Sequence, residues 1–296
     1  MGDKIHELKQ KAADAAQKGQ TRKAIQLFEE LLAALPGDTR SLHRLGELWA
    51  KEGNQAKAVE RFLQAAEGYL EEGFFDRAVA VLRQALTSEP HRPELHARLV
   101  DALLAKGQER EAARQLVLLA GEYARAGVDT EQLASLERAA ELAPDDAEVS
   151  LQLARLQLAR GEVAAASARL LAARPALQKT GKLGDLVEPL QALIAAGQAP
   201  AELHLLLAEG LLARQAWEPA LEALQETLRS RSDDLQALGL SARAYLGAGD
   251  LTQASVMAKR LARLARMAGD EAAAQAAKAV LDEVAVRRDE PPPRPR

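Results

Sequence analysis

The chain has five histidines, the side chains best suited to metal ligation or proton transfer: His6, His43, His91, His96 and His204. No two stand four apart, so no helix face carries a ligand pair. His91 and His96, with Glu94 between them, form the one cluster. It straddles a helix start at Pro93 and reads either as part of a metal site or as solvated turn residues. With no cysteine in the chain, thiolate catalysis, zinc–thiolate sites and disulfides are excluded. No Gly-x-Ser-x-Gly elbow occurs, and no glycine-rich phosphate loop follows a strand. The 43 acidic residues are mixed with 39 basic ones along polar helix faces, as a solvated surface requires. The sequence therefore predicts no catalytic residue, no cofactor, no metal and no enzyme.

The elements that would carry these side chains are all helical. Apolar residues recur at helical spacing throughout, and no stretch alternates as a strand does. Sixteen helices are expected, over 3–18, 21–35, 39–52, 55–72, 75–88, 93–106, 109–126, 129–142, 147–160, 163–180, 183–196, 200–214, 217–230, 234–248, 251–268 and 270–287. Thr21, Asn54, Asp129 and Asp250 mark starts, and Pro36, Pro90 and Pro144 follow ends. Hydrophobic residues make up 48% of the chain but aromatic ones only 3%, so small aliphatic side chains must do the packing. No run of about 18 apolar residues exists, which predicts no membrane insertion. The N-terminus MGDKIHELKQKAADAAQ reads as a polar helix rather than a secretory signal. His6 stands where a myristoylation signal needs Ser or Thr. These features predict a cytoplasmic protein. A net charge of −4 gives no electrostatic case for nucleic acid.

The helices repeat. Ala24, Ala58, Ala112, Ala166, Ala220 and Ala254 follow one another at steps of 34, 54, 54, 54 and 34 residues. Five residues before each stands Gly19, Gly53, Gly107, Gly161, Gln215 or Gly249. Self-similarity of this kind means a repeat array. Each alanine opens the second helix of a hairpin. It faces Ala12, Gly46, Val100, Ala154, Ala208 or Ala242 on the first helix, so that small residues let the axes come close. The 34-residue step is one hairpin, and the 54-residue step adds a helix. A second glycine marks that addition (Gly73, Gly127, Gly181, Gly269). The predicted units are 4–37, 38–91, 92–145, 146–199, 200–233 and 234–287, within one domain over 1–288. The last residues, 289–296, are charged and proline-rich and are expected to form a disordered tail, with a proline-motif ligand as the other reading.

Leu45-Gly46, Trp49, Gly53, Ala58, Phe62 and Ala65 stand where the tetratricopeptide repeat has its signature, and Gly19, Ala24, Phe28 and Pro36 match it in the preceding hairpin. The chain resembles that family over nearly its whole length. The resemblance implies an all-α solenoid, a right-handed superhelix of helical hairpins with the 54-residue units as a departure. It also implies a concave groove, lined by first helices, that holds a peptide or partner helix. Some members clamp a chaperone's C-terminal carboxylate with lysines and asparagines. Here Lys9 fits one such place, but Ala13 and Arg44 break the pattern.

The residues this chain would place in such a groove are basic at first (Arg40, His43, Arg44, Arg98) and then increasingly apolar (Leu151, Arg155, Leu158, Leu205, Leu212, Arg243, Leu246). Leu104, Leu158, Leu212 and Leu246 share one register. They form either an apolar strip with flanking arginines, suited to an amphipathic helix or apolar peptide carrying acids, or core covered by the extra helices. The function expected is a protein–protein adaptor or scaffold. An assembly chaperone or accessory regulator for a secretion, pilus or signalling complex is the alternative, and structural self-assembly is a third class.

Overall fold

The computed structural model describes residues 2–197 and 199–289. It is all-α, and no strand occurs among the described residues. The chain divides into two compact units, residues 1–144 and 145–296, at a point within one residue of a unit boundary read from the sequence.

The first unit holds α1 (Gly2–Gln17), α2 (Thr21–Ala34), α3 (Thr39–Lys51), α4 (Gln55–Glu71), α5 (Phe75–Ser88), α6 (Pro93–Ala105), α7 (Glu109–Ala126) and α8 (Asp129–Leu142). Each helix packs on the next, and α4 also meets α6. The second unit holds α9 (Ala147–Ala159), α10 (Val163–Thr180), α11 (Val187–Ala195), α12 (Ala201–Ala213), α13 (Trp217–Ser230), α14 (Leu235–Ala248), α15 (Leu251–Ala268) and α16 (Glu271–Asp289). Here α11 packs on both α9 and α10, and α16 on both α14 and α15. The fold is an α-solenoid of hairpins, some carrying a third helix.

The six register alanines are all fully buried, as are Ala12, Ala154, Ala208 and Ala242 opposite them. The seams are close: a Cβ on Gly46 would lie 2.6 Å from the ring of Phe62, itself fully buried. The helix ends follow the glycines. At Gly53 (φ 85°) the amide of Gly53 donates to the carbonyl of Ala50 and that of Asn54 to Trp49, the paired bonds of a Schellman turn. Gln215 makes the same turn at φ 58°, donating to Leu212 while Ala216 donates to Leu211. It is the one non-glycine residue at positive φ among those described.

Helix positions match the expectation closely, with three local differences. Asn54 and Asp250 do cap α4 and α15, accepting from the amides of Lys57 and Gln253. Thr21 and Asp129 instead lie one residue inside α2 and α8. The helix expected over 183–196 begins as a 3-10 turn, Leu183–Leu186, before α11. Pro189 explains this, because without an N–H it cannot donate to Asp185 and is tolerated only in a first α-helical turn. The tail expected at 289–296 lies outside the described residues, except for Asp289, which ends α16.

Candidate functional site

In the second unit, α9 and α11 leave a groove open. Its cavity, about 380 Å³, is lined by Arg155, Leu158 and Ala159 from α9 and by Glu188, Pro189, Ala192 and Ala196 on or just after α11. Two glycines set the place of α11. A Cβ on Gly210 would lie 2.9 Å from the carbonyl oxygen of Leu183, and one on Gly184 would lie 3.0 Å from Cγ of Arg214. Their bare backbones let the 3-10 turn press against α12 with Leu186 buried, and α11 continues from that turn with Val187, Pro189, Leu190 and Leu193 buried. Ala192 and Ala196 then remain exposed. Pro189, Ala192 and Ala196 recur at helical spacing on the groove side.

The groove's polar edge is a loose ion triad. Arg155 lies 4.0 Å from one carboxylate oxygen of Glu188, and Arg214 lies 3.7 Å from the other. All three side chains are substantially exposed, so these contacts contribute little to stability. An incoming carboxylate could displace Glu188 from Arg155 while Arg214 keeps its charge balanced.

The other predicted groove residues separate into three groups. Leu151, Leu205 and Leu246 are core residues, 3%, 8% and 6% exposed, rather than the open groove residues expected from the sequence. Leu246 is covered by Val280 and Val284 of the extra helix α16. Leu158 and Leu212 are half-buried against the core of α9–α13, and Leu158 still borders the groove. Arg243 is exposed on α14.

The predicted basic residues of the first unit each have their own neighbours. Arg40 is exposed on the first turn of α3, and Arg44 pairs with Glu47 one turn on. His43 is half-buried, bonded through Nε2 to Gln84 at 3.0 Å and edge-on to Phe62 and Tyr69. Arg98 borders a different cavity of about 490 Å³ between α4 and α6, beside Glu60 and Glu67. Lys9 bonds both carboxylate oxygens of Asp38 at 2.9 Å. Burial pushes the Asp38 carboxyl up, but hydrogen bonds from Ser41 and Lys9 outweigh it and hold the group below its ordinary range.

The His91–His96 pair proves to be structural on one side. His96 is buried, contrary to the reading of solvated turn residues. Its Nε2 bonds the carbonyl of Pro90 at 2.8 Å, and Nδ1 meets the amide of Gln115. Both ring nitrogens are therefore occupied. Glu122, also buried, is held by Arg125 at 2.5 Å and approached by exposed His91 at 3.4 Å. Glu94 takes no part and pairs with Arg92.

The site thus belongs to an all-α array of helical hairpins, the class that the repeats announced. The family pattern described as the tetratricopeptide repeat matches residues 69–122, a span from the end of α4 into α7. The resemblance read from the sequence is borne out there. Solved structures with similar folds include the tetratricopeptide domain of P58(IPK), at 14% identity over 97% of this chain and 100% of that one, with a TM-score of 0.33. The TPR2AB domain of yeast Sti1 in complex with pHSP90 is 14% identical over 96% of this chain and 100% of that one, at 0.34. PilF of Pseudomonas aeruginosa is 20% identical over 76% and 98%, at 0.29. No curated protein sequence matches the chain. No described helix is long and apolar enough to cross a membrane.

Proposed function

We propose that the protein is a non-enzymatic interaction scaffold that holds a partner segment, an amphipathic helix or short peptide, in the groove between α9 and α11. The observation that carries this reading is the set of exposed alanines there, Ala159, Ala192 and Ala196, over the buried Pro189 and between the charges of Arg155 and Glu188. A segment with an apolar face fits the floor, and a carboxylate on its flank fits Arg155. A helix-in-groove or peptide-in-groove contact of this kind needs no chemistry from the scaffold. Tetratricopeptide arrays are in general interaction modules, which agrees with this reading.

The test is capture from native-host lysate with wild type beside Ala192→Glu, followed by calorimetry with the purified partner. Ala192 is exposed, so the substitution blocks the groove without entering the core. The expected result is a partner bound by wild type and lost in the variant, with Arg155→Glu weakening it further when the partner segment is acidic. A partner held equally by wild type and Ala192→Glu would refute the groove.

A further inference from the structure

A separate face of the second unit has its own character. The helix α15 carries Lys259, Arg260, Arg263 and Arg266 and no acid at all, in a chain whose net charge is −4. Arg260 is tied to Asp233 at 3.0 Å and to the carbonyl of Ser232 at 2.9 Å. The remaining three are exposed. Arg266 donates to the carbonyl of Ala262, one turn back on its own helix, which leaves its charge unneutralised. Lys259 and Arg263 make no ion pair among the described residues.

Three nearby acids are engaged elsewhere, while Glu271 and Asp282 of α16 are exposed and make no ion pair with α15 among the described residues. Asp250 caps the start of α15, Asp270 caps the start of α16 through the amide of Ala273, and Glu283 of α16 is held by Arg287 at 2.5 Å. Two apolar side chains project from the same face: Val256 is 52% exposed and Met267 78%. At 3.6 residues per turn, Val256, Arg263 and Met267 fall within about 40° of one another around the helix, with Lys259 and Arg266 along one edge.

We infer that this face of α15 docks on an anionic lipid surface, without crossing it. Cations beside an acidic headgroup layer contribute attraction, and apolar tips among them enter the interface. The pattern suits lipid better than a partner helix. Val256 and Met267 are about 16 Å apart along the axis, with Arg263 between them, so they form no continuous seam for a second helix to pack against. A fluid headgroup layer can accept each tip separately and bring its phosphates to each cation.

The experiment is co-sedimentation of the full chain with vesicles of equal parts phosphatidylserine and phosphatidylcholine, and with phosphatidylcholine alone. Wild type is expected to sediment with the anionic vesicles only, and less as salt rises. The triple variant Lys259→Glu/Arg263→Glu/Arg266→Glu, checked for unchanged helicity, is expected to lose at least about 100-fold in vesicle affinity. Met267→Ser is expected to give a smaller loss. The groove variant Ala192→Glu should sediment as wild type does, so the two readings fail independently. Wild type staying in solution would overturn the inference, as would a triple variant that sediments normally or equal binding to neutral vesicles. A helical peptide with glutamates at i, i+4 and i+7 supplies the contrasting arm. Binding to that peptide, with none to vesicles, would make the face a protein contact instead.

Discussion

Gln215→Gly should stabilise this protein, although it removes a side chain and adds none. Gln215 sits at φ 58° in a turn that is otherwise closed by glycine. In that left-handed region a Cβ crowds the following carbonyl, at a cost of roughly 1–2 kcal/mol for a residue with a side chain. Glycine removes that cost but gives the unfolded chain more freedom, which returns roughly 0.5–1 kcal/mol. The Gln215 side chain is exposed, so little packing is lost. The two turn bonds, at 3.0 and 2.9 Å, come from the backbone and survive the substitution. The net expectation is a gain of about 0.75 kcal/mol, taking the difference between the midpoints of those two ranges. The mirror change, Gly107→Gln at φ 78°, should lose a comparable amount. Urea unfolding followed by circular dichroism at the helical minimum measures both. Midpoints should move in opposite directions, with unchanged slope. An unchanged or lowered midpoint for Gln215→Gly would refute the claim that a left-handed turn at this register limits stability.

Three further outcomes follow from the packing and the charges. Gly46→Ala places a methyl 2.6 Å from the fully buried Phe62 ring and should destabilise by about 1–3 kcal/mol in the same unfolding assay, with partial rescue by Phe62→Leu. Ala112→Leu overfills a fully buried seam and should lower the thermal midpoint by a similar free energy, about 1–3 kcal/mol; no change would sink that register. Asp38, held below its ordinary value of 3.8, contributes stability that is present above that value and lost as pH falls through its lower folded value. Asp38→Asn should therefore flatten that acid limb of the stability–pH curve. Because Lys9 is 45% exposed, the effect should stay below about 1 kcal/mol.

The parts of the fold that repeat were legible, and the parts that depend on one neighbour were not. The register alanines and the turn glycines are dictated by local geometry that recurs at every hairpin, so their identity alone placed the seams and ends. The helix at 183–196 departed because a single proline decides where α-helical bonding can begin. The leucines show the limit more sharply. Helical spacing put Leu158, Leu212 and Leu246 on one side of their helices, but whether that side is open depends on what lies over it. At Leu246 it is α16, supplying Val280 and Val284. The partners of the basic residues were hidden for the same reason, since Lys9 meets Asp38 across 29 residues of sequence. The α9–α11 groove was missed because its floor has no chemistry to attract notice. Pro189, Ala192 and Ala196, small residues at helical spacing, were the available signal.

The alanine and glycine seams have a consequence for how the molecule folds and responds. Alanine and glycine have no side-chain torsions to freeze, so at these positions closing a hairpin loses only backbone freedom, and the rotamer loss falls on larger neighbours such as the fully buried Phe62. A seam position without rotamers has no alternative side-chain arrangement to adopt. Accommodation to a bound segment should therefore fall on the positions where leucines and long polar side chains can still rearrange.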